Sequence, residues 1–121
     1  MNLTIIQKSI DYIEDNLKTD ITAKELSEMA GFSMFHYYRL FQSAVGLPVM
    51  QYITRRRLLN ALYDMHCGEK MVVVALDYGF ETQAGFYKAF IREFGYIPTQ
   101  FLNISKKKKP YKINLLKEEH I

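Results

Sequence analysis

The sequence predicts an all-α chain of about seven helices, in which a short helix, a glycine turn and a second helix occur twice around one long connecting helix. Three observations carry that prediction. Apolar residues recur at helical spacing and nowhere alternate as a strand would. Glycines fall just past the ends of these apolar runs and prolines just inside their starts. Residues 26–46 and 74–95 share one pattern. With 121 residues, 49% hydrophobic and 14% aromatic, the chain can bury a real core and is too apolar to be disordered over most of its length.

Ile6, Ile10, Ile13 and Leu17 recur at helical spacing with polar residues between them, so residues 4–17 are predicted as one amphipathic helix. In the next stretch Thr22 caps a helix start, Glu25 reaches back to complete a capping box, and Ile21 staples onto Leu26. Ala30-Gly31 ends that helix in a tight turn. Phe32-Ser33 then sets an apolar anchor and a new cap before a third helix, whose core face is Tyr37, Leu40, Phe41 and Ala44. Gly46 closes it. Pro48 opens a long helix with Ile53, Leu58, Ala61, Leu62 and Met65 inward, broken at Gly68. The order then begins again, with residues 71–78 as a short apolar helix, Gly79-Phe80 as the turn and Thr82 as the cap. Phe86, Ala89 and Phe90 form the core face, Gly95 is the stop, and Pro98 opens a last short helix through Phe101 and Leu102.

Charge and cysteine usage narrow the function classes. A net charge of +3 is too small to imply nucleic acid by itself, but its distribution is uneven. No Asp or Glu occurs between Glu28 and Asp64, a stretch holding Arg39, Arg55, Arg56 and Arg57, whereas Asp11, Glu14, Asp15, Asp20, Glu25 and Glu28 crowd the first quarter. A polyanion approached from one side suits that asymmetry. The lone Cys67 excludes an internal disulfide and a cysteine-based zinc site and fits a reducing compartment, so the expected location is the cytoplasm. The longest apolar run, residues 71–76, is far short of the ~20 residues of a membrane span. His36 and His66 lack companion ligands at metal spacing, and Cys67 has no catalytic partners around it, so neither a metal, a cofactor nor an enzyme is expected.

The two matching segments pair Gly31, Phe32, Tyr37, Tyr38, Arg39, Phe41 and Gly46 with Gly79, Phe80, Phe86, Tyr87, Lys88, Phe90 and Gly95, with a slip of one residue inside the unit. A short helix, a glycine turn and a second helix with outward polar residues is the helix-turn-helix arrangement, whose second helix fits the major groove. The expected organisation is a first unit over 1–46, a linker helix over 47–67, a second unit over 68–104 and a basic tail over 105–121. A helix over 48–66 would be roughly 28 Å long at ~1.5 Å per residue, near the ~34 Å between successive major-groove faces, so one chain could reach two adjacent grooves.

Facing away from the core on the third helix are Phe35, Arg39 and Gln42, with Met34 and Tyr38 at the edges. Arg39 suits a guanine edge, Gln42 an adenine, and Phe35 a thymine methyl. The corresponding face of the second unit is Gln83, Ala84, Tyr87, Lys88 and Ile91. It is less polar, and a lysine gives poorer bidentate recognition than an arginine. The second unit is therefore expected to add grip more than sequence choice. Ser33 and Thr82 at the helix starts, Arg55 or Arg56, and Lys106 and Lys107 in the run 106–109 are the expected phosphate contacts, while Arg57 is expected to pair with an internal carboxylate.

Through Gly31-Phe32-Ser33, Arg39-Leu40-Phe41, Gly46, Tyr52-Ile53, Arg57-Leu58, Ala61, Ala75, Gly79-Phe80, Phe86, Phe90, Phe94-Gly95 and Pro98 the chain resembles the AraC/XylS family of transcription regulators over residues 6–102. The resemblance implies seven helices, two helix-turn-helix subdomains joined by a long linker helix, and a partner in double-stranded promoter DNA. It further implies activation or repression through RNA polymerase, and base reading by Phe35, Tyr38 and Arg39. This segment is expected to be monomeric and like the stand-alone members. The lysine run 106–109 before Pro110 is expected to be solvated, residues 111–116 are expected to begin something more ordered, and the tail is expected to be a linker toward a C-terminal effector domain through which dimers could form. The competing class is a helical protein-interaction module with no DNA affinity.

Overall fold

The computed structural model describes residues 3–116. It contains the helices α1 (Leu3–Asp15), α2 (Ala23–Ala30), α3 (Met34–Val45), α4 (Val49–His66), α5 (Met71–Asp77), α6 (Gln83–Phe94) and α7 (Pro98–Ile104), with no strand among the described residues. The chain divides into two compact units. One runs to Thr54 and includes the segment starting at Tyr111; the other is Arg55–Pro110. The division falls inside the uninterrupted helix α4.

In the first unit, α1 buries Ile6, Ile10 and Ile13 completely. It stops at Asp15, short of the expected residue 17, because the Asn16 amide donates to the Tyr12 carbonyl (2.8 Å) and the chain tightens into a turn, Asn16 N–H to Ile13 O at 3.1 Å. Leu17 stays buried beyond the helix end. The start of α2 is fixed by the capping box: Glu25 N–H donates to Thr22 Oγ1 (3.1 Å) and Thr22 N–H to Glu25 Oε1 (3.1 Å). Tyr37 and Phe41 of α3, fully buried, pack with their ring centroids 6.0 Å apart, and Phe41 meets Tyr52 of α4 edge-on at 5.5 Å. Burial lifts the Tyr37 hydroxyl above its ordinary pKa.

The second unit repeats this plan. Phe86 and Phe90 of α6, also fully buried, stand 6.0 Å apart, and Phe90 meets Phe101 of α7 edge-on at 5.6 Å. Phe101 thus takes the place that Tyr52 holds in the first unit. Leu58, Ala61, Leu62 and Met65 of α4 complete the core with Val74 and Ala75 of α5. Tyr78, buried at the end of α5, donates its hydroxyl to Asp64 Oδ2 at 2.8 Å. Burial, followed by the bond to the Asp64 carboxylate, raises the pKa of that hydroxyl well above the usual tyrosine range.

Candidate nucleic-acid interface

The two glycine turns have one hydrogen-bond pattern. Gly31 N–H bonds Glu28 O (3.1 Å) and Phe32 N–H bonds Ser27 O (3.0 Å); Gly79 N–H bonds Leu76 O (3.1 Å) and Phe80 N–H bonds Ala75 O (3.0 Å). These paired bonds are the Schellman closure, and they need a left-handed residue where the glycines lie, at φ 79° and 85°. Each turn leads into an N-cap whose hydroxyl accepts the third helical N–H: His36 N–H to Ser33 Oγ at 3.2 Å, Gly85 N–H to Thr82 Oγ1 at 2.9 Å.

The slip seen in the sequence is localised here. Ser33 directly follows Phe32, whereas Glu81 is inserted between Phe80 and Thr82. Beyond the caps the register is common: Tyr37 and Phe86 each stand four places after the cap, and Gly46 and Gly95 close both helices with left-handed φ values of 91° and 76°. Gly85 has a local reason as well, since a Cβ there would lie 3.3 Å from the capping Thr82 Oγ1.

With the aromatic pairs turned inward, α3 presents Met34, Phe35, Tyr38, Arg39 and Gln42 to solvent, and α6 presents Gln83, Ala84, Tyr87, Lys88 and Ile91. Phe35 is 71% exposed, far beyond what a core aromatic tolerates. The Arg39 guanidinium lies over the Phe35 ring, 5.5 Å from its centroid, one helical turn away. That contact sets the cation against an exposed apolar ring. Phe35, His36, Arg39, Leu40 and Ser43 line a shallow depression on this face. In α6 the position matching Phe35 is Ala84, so Lys88 lacks such a ring.

Not all expected contacts are placed alike. Ser33 and Thr82 are exposed at the helix starts, and their oxygens are engaged as caps while each hydroxyl retains a proton to donate. Lys106 and Lys107 are exposed. Arg55 lies 3.8 Å from Glu93, whose side chain is 8% exposed, and its guanidinium covers the Phe94 ring at 5.3 Å, so α6 holds it in place. Arg56 departs from expectation. It is 7% exposed, which withdraws its side chain from any phosphate at the surface of this fold. Arg57 is half-buried.

Residues 111–116 lie against α1 through Gln7 and Asp11, while residues 117–121 of the expected tail lie outside the described residues. The signals for this in the sequence are the return of apolar residues after Pro110 and a glutamine inside the apolar stripe of α1. His66 Nε2 is 3.1 Å from Ser105 Oγ, and Cys67 is exposed at the end of α4. Among the described residues no group of three or more His, Cys, Asp or Glu is placed to hold a metal ion, and no helix is long and apolar enough to cross a membrane.

Comparison with known proteins matches residues 26–104 to the helix-turn-helix domain family. The transcriptional activator AarP of Providencia stuartii is 30% identical over 81% of this chain and 73% of its own length. The multiple antibiotic resistance protein MarA of Escherichia coli is 30% identical over 79% of this chain and 76% of its own. A probable AraC family regulator from Rhodopseudomonas palustris has the same fold, with a TM-score of 0.71 at 26% identity over 83% of this chain and 95% of its own. The chain belongs to the AraC-type helix-turn-helix family. Its AraC-type fold is shared by the DNA-binding domain of AdpA, solved with a target DNA, at a TM-score of 0.73 and 20% identity over 81% of this chain and 89% of that one. The uncharacterized regulator YbfP of Bacillus subtilis is 35% identical over 84% of this chain, which spans about a third (35%) of that protein's length. YbfP, AarP, AdpA and the Rhodopseudomonas palustris protein are each named as a transcriptional regulator, activator or factor.

Proposed function

We propose that this chain is a sequence-specific DNA-binding regulator that offers α3 and α6 to adjacent major grooves of a promoter and acts on RNA polymerase recruitment. The observation that carries the proposal is the exposed, carboxylate-free face of α3, with the Arg39 guanidinium over the Phe35 ring beside Tyr38 and Gln42, set by a turn and cap geometry that recurs at α6. An exposed aromatic plate with a guanidinium on it serves no packing purpose, whereas base edges use both. AarP is named an activator and AdpA's domain was solved on DNA, which supports the same role here.

In this proposal Phe35, Tyr38, Arg39 and Gln42 read bases, and Gln83, Ala84, Tyr87 and Lys88 add a weaker reading from α6. Ser33, Thr82, Lys106 and Lys107 meet phosphates, and Arg55 of α4 can add to them from its place against α6. One copy supplies both recognition helices, so a monomer suffices, and the cytoplasm is where it would work. The test is selection from a random duplex pool followed by sequencing. A motif with its information concentrated under α3 is expected; recovery of no motif overturns sequence-specific reading. A helical interaction module remains the second possibility because Val72, Val73 and Leu76 of α5 are 44%, 39% and 56% exposed. It predicts no enrichment at any salt concentration.

A further inference from the structure

Gln7 is 8% exposed on the inner side of α1, and its carboxamide is used on both faces. Nε2 donates to the Ile113 carbonyl (3.1 Å), and Oε1 accepts from the Leu115 N–H (2.7 Å). Holding the C=O of one residue and the N–H of the second one after it is how a residue of a parallel strand engages its neighbour. One side chain thus reads the backbone of an extended segment. Nε2 also reaches Asp11 Oδ1 at 3.1 Å, and the same oxygen takes the Lys112 ammonium at 2.7 Å, which holds the Asp11 carboxyl below the usual carboxylate range. Leu116 N–H closes onto Asn114 Oδ1 at 3.0 Å, turning the chain at the end of the docked stretch.

At the other end of the lysine run, Ser105 caps α7, its N–H on Phe101 O at 2.9 Å and its hydroxyl 3.1 Å from His66 Nε2. Lys106, Lys107, Lys108 and Lys109 therefore lie between two anchored points, with Pro110 stiffening the exit. A run of like charges repels itself and in a free chain extends into water. Anchoring removes much of that freedom before any ligand arrives.

We infer that residues 111–116 are a latch on α1, and that the latch presents the lysines 106–109 as a preformed loop for the phosphates of duplex DNA. The phosphate role rests on the DNA-binding function proposed above; the latch does not. The loop meets phosphates at a smaller ordering cost than a free arm, so neutralising its lysines costs more binding when the latch is closed than when it is open.

The test uses the full chain and two variants that open the latch. Gln7→Leu keeps charge and approximate size while removing both backbone bonds. Lys112→Glu lies on an exposed residue and sets a carboxylate against Asp11, Glu14 and Asp15, so it leaves the core untouched. Hydrogen exchange at the Leu115 amide is expected to be slowed at least ~10-fold in the parent chain and to return to the free rate in both variants. On a random duplex, Lys106→Gln with Lys107→Gln is expected to weaken binding ~5-fold or more in the parent and about half as much, on a logarithmic scale, in the Gln7→Leu background. An unprotected Leu115 amide in the parent overturns the latch. Equal losses in both backgrounds overturn its effect on the lysines. A protected amide in a chain with no salt-dependent DNA binding overturns the DNA-binding function and the phosphate role together, and leaves the latch standing.

Discussion

Replacing Arg39 by lysine separates charge from geometry at the centre of the interface. Both side chains carry one positive charge, so the general attraction to phosphate is retained. What is lost is the planar fork that can hold two atoms of a guanine edge, and the guanidinium contact with the Phe35 ring at 5.5 Å. The bidentate pair is worth ~1–3 kcal/mol of discrimination, about 5- to 150-fold, and the exposed stacking contact adds ~0.5–1 kcal/mol. Arg39 is exposed on the solvent side of α3, so stability should stay within ~0.5 kcal/mol of the parent. Fluorescence anisotropy on a selected site and on its single-base variants is the assay. Arg39→Lys is expected to flatten the preference at one or two base pairs while leaving affinity for random DNA and its salt slope nearly unchanged. Equal losses on selected and random DNA would refute base reading by Arg39.

Other perturbations test the shared plan of the two units. Phe41→Ala and Phe90→Ala each empty a fully buried ring position in equivalent aromatic clusters, so each should cost ~3–5 kcal/mol in chemical denaturation, and a loss below ~1 kcal/mol at either would contradict the equivalence. Ser33→Ala and Thr82→Ala each remove a cap from a recognition helix and should cost about 1 kcal/mol, read as a fall in the denaturation midpoint. Tyr78 supplies a pH test. Its hydroxyl titrates higher in the fold than the ~10 of an unfolded chain, so its contribution is complete below pH ~10 and is lost as the pH rises above that value. The parent should therefore lose more stability than Tyr78→Phe between about pH 10 and 12, and parallel curves would refute the Asp64 bond.

Much of the fold is legible in the sequence because the decisive interactions are local. The Thr22–Glu25 box, the Ser33 and Thr82 caps and the left-handed glycines act within a few residues of themselves, and each forms as its chemistry requires. The outward faces of α3 and α6 follow from the same periodicity once Tyr37, Phe41, Phe86 and Phe90 are placed inward. Partners distant in sequence are another matter. The sequence sets Arg57 apart from Arg55 and Arg56 but does not choose between those two, and Arg55 settles on Glu93 and Phe94 while Arg56 is buried. Only tertiary packing distinguishes them. Gln7 meets Ile113 and Leu115 more than a hundred positions away, so the sequence shows that the tail turns apolar after Pro110 but not that it is held to α1. The inserted Glu81 is visible in the sequence as a slip, but only the equal spacing of both cores from their caps locates it in the turn.

The central claim is that this chain grips duplex DNA through arginine, lysine and helix starts. It is tested most directly by the affinity for a duplex of random sequence as a function of salt. A linear fall of log affinity with log salt is expected, with a slope of about −0.9 for each phosphate neutralised and several phosphates engaged. Absence of binding at low salt, or binding whose strength does not change with salt, would contradict it.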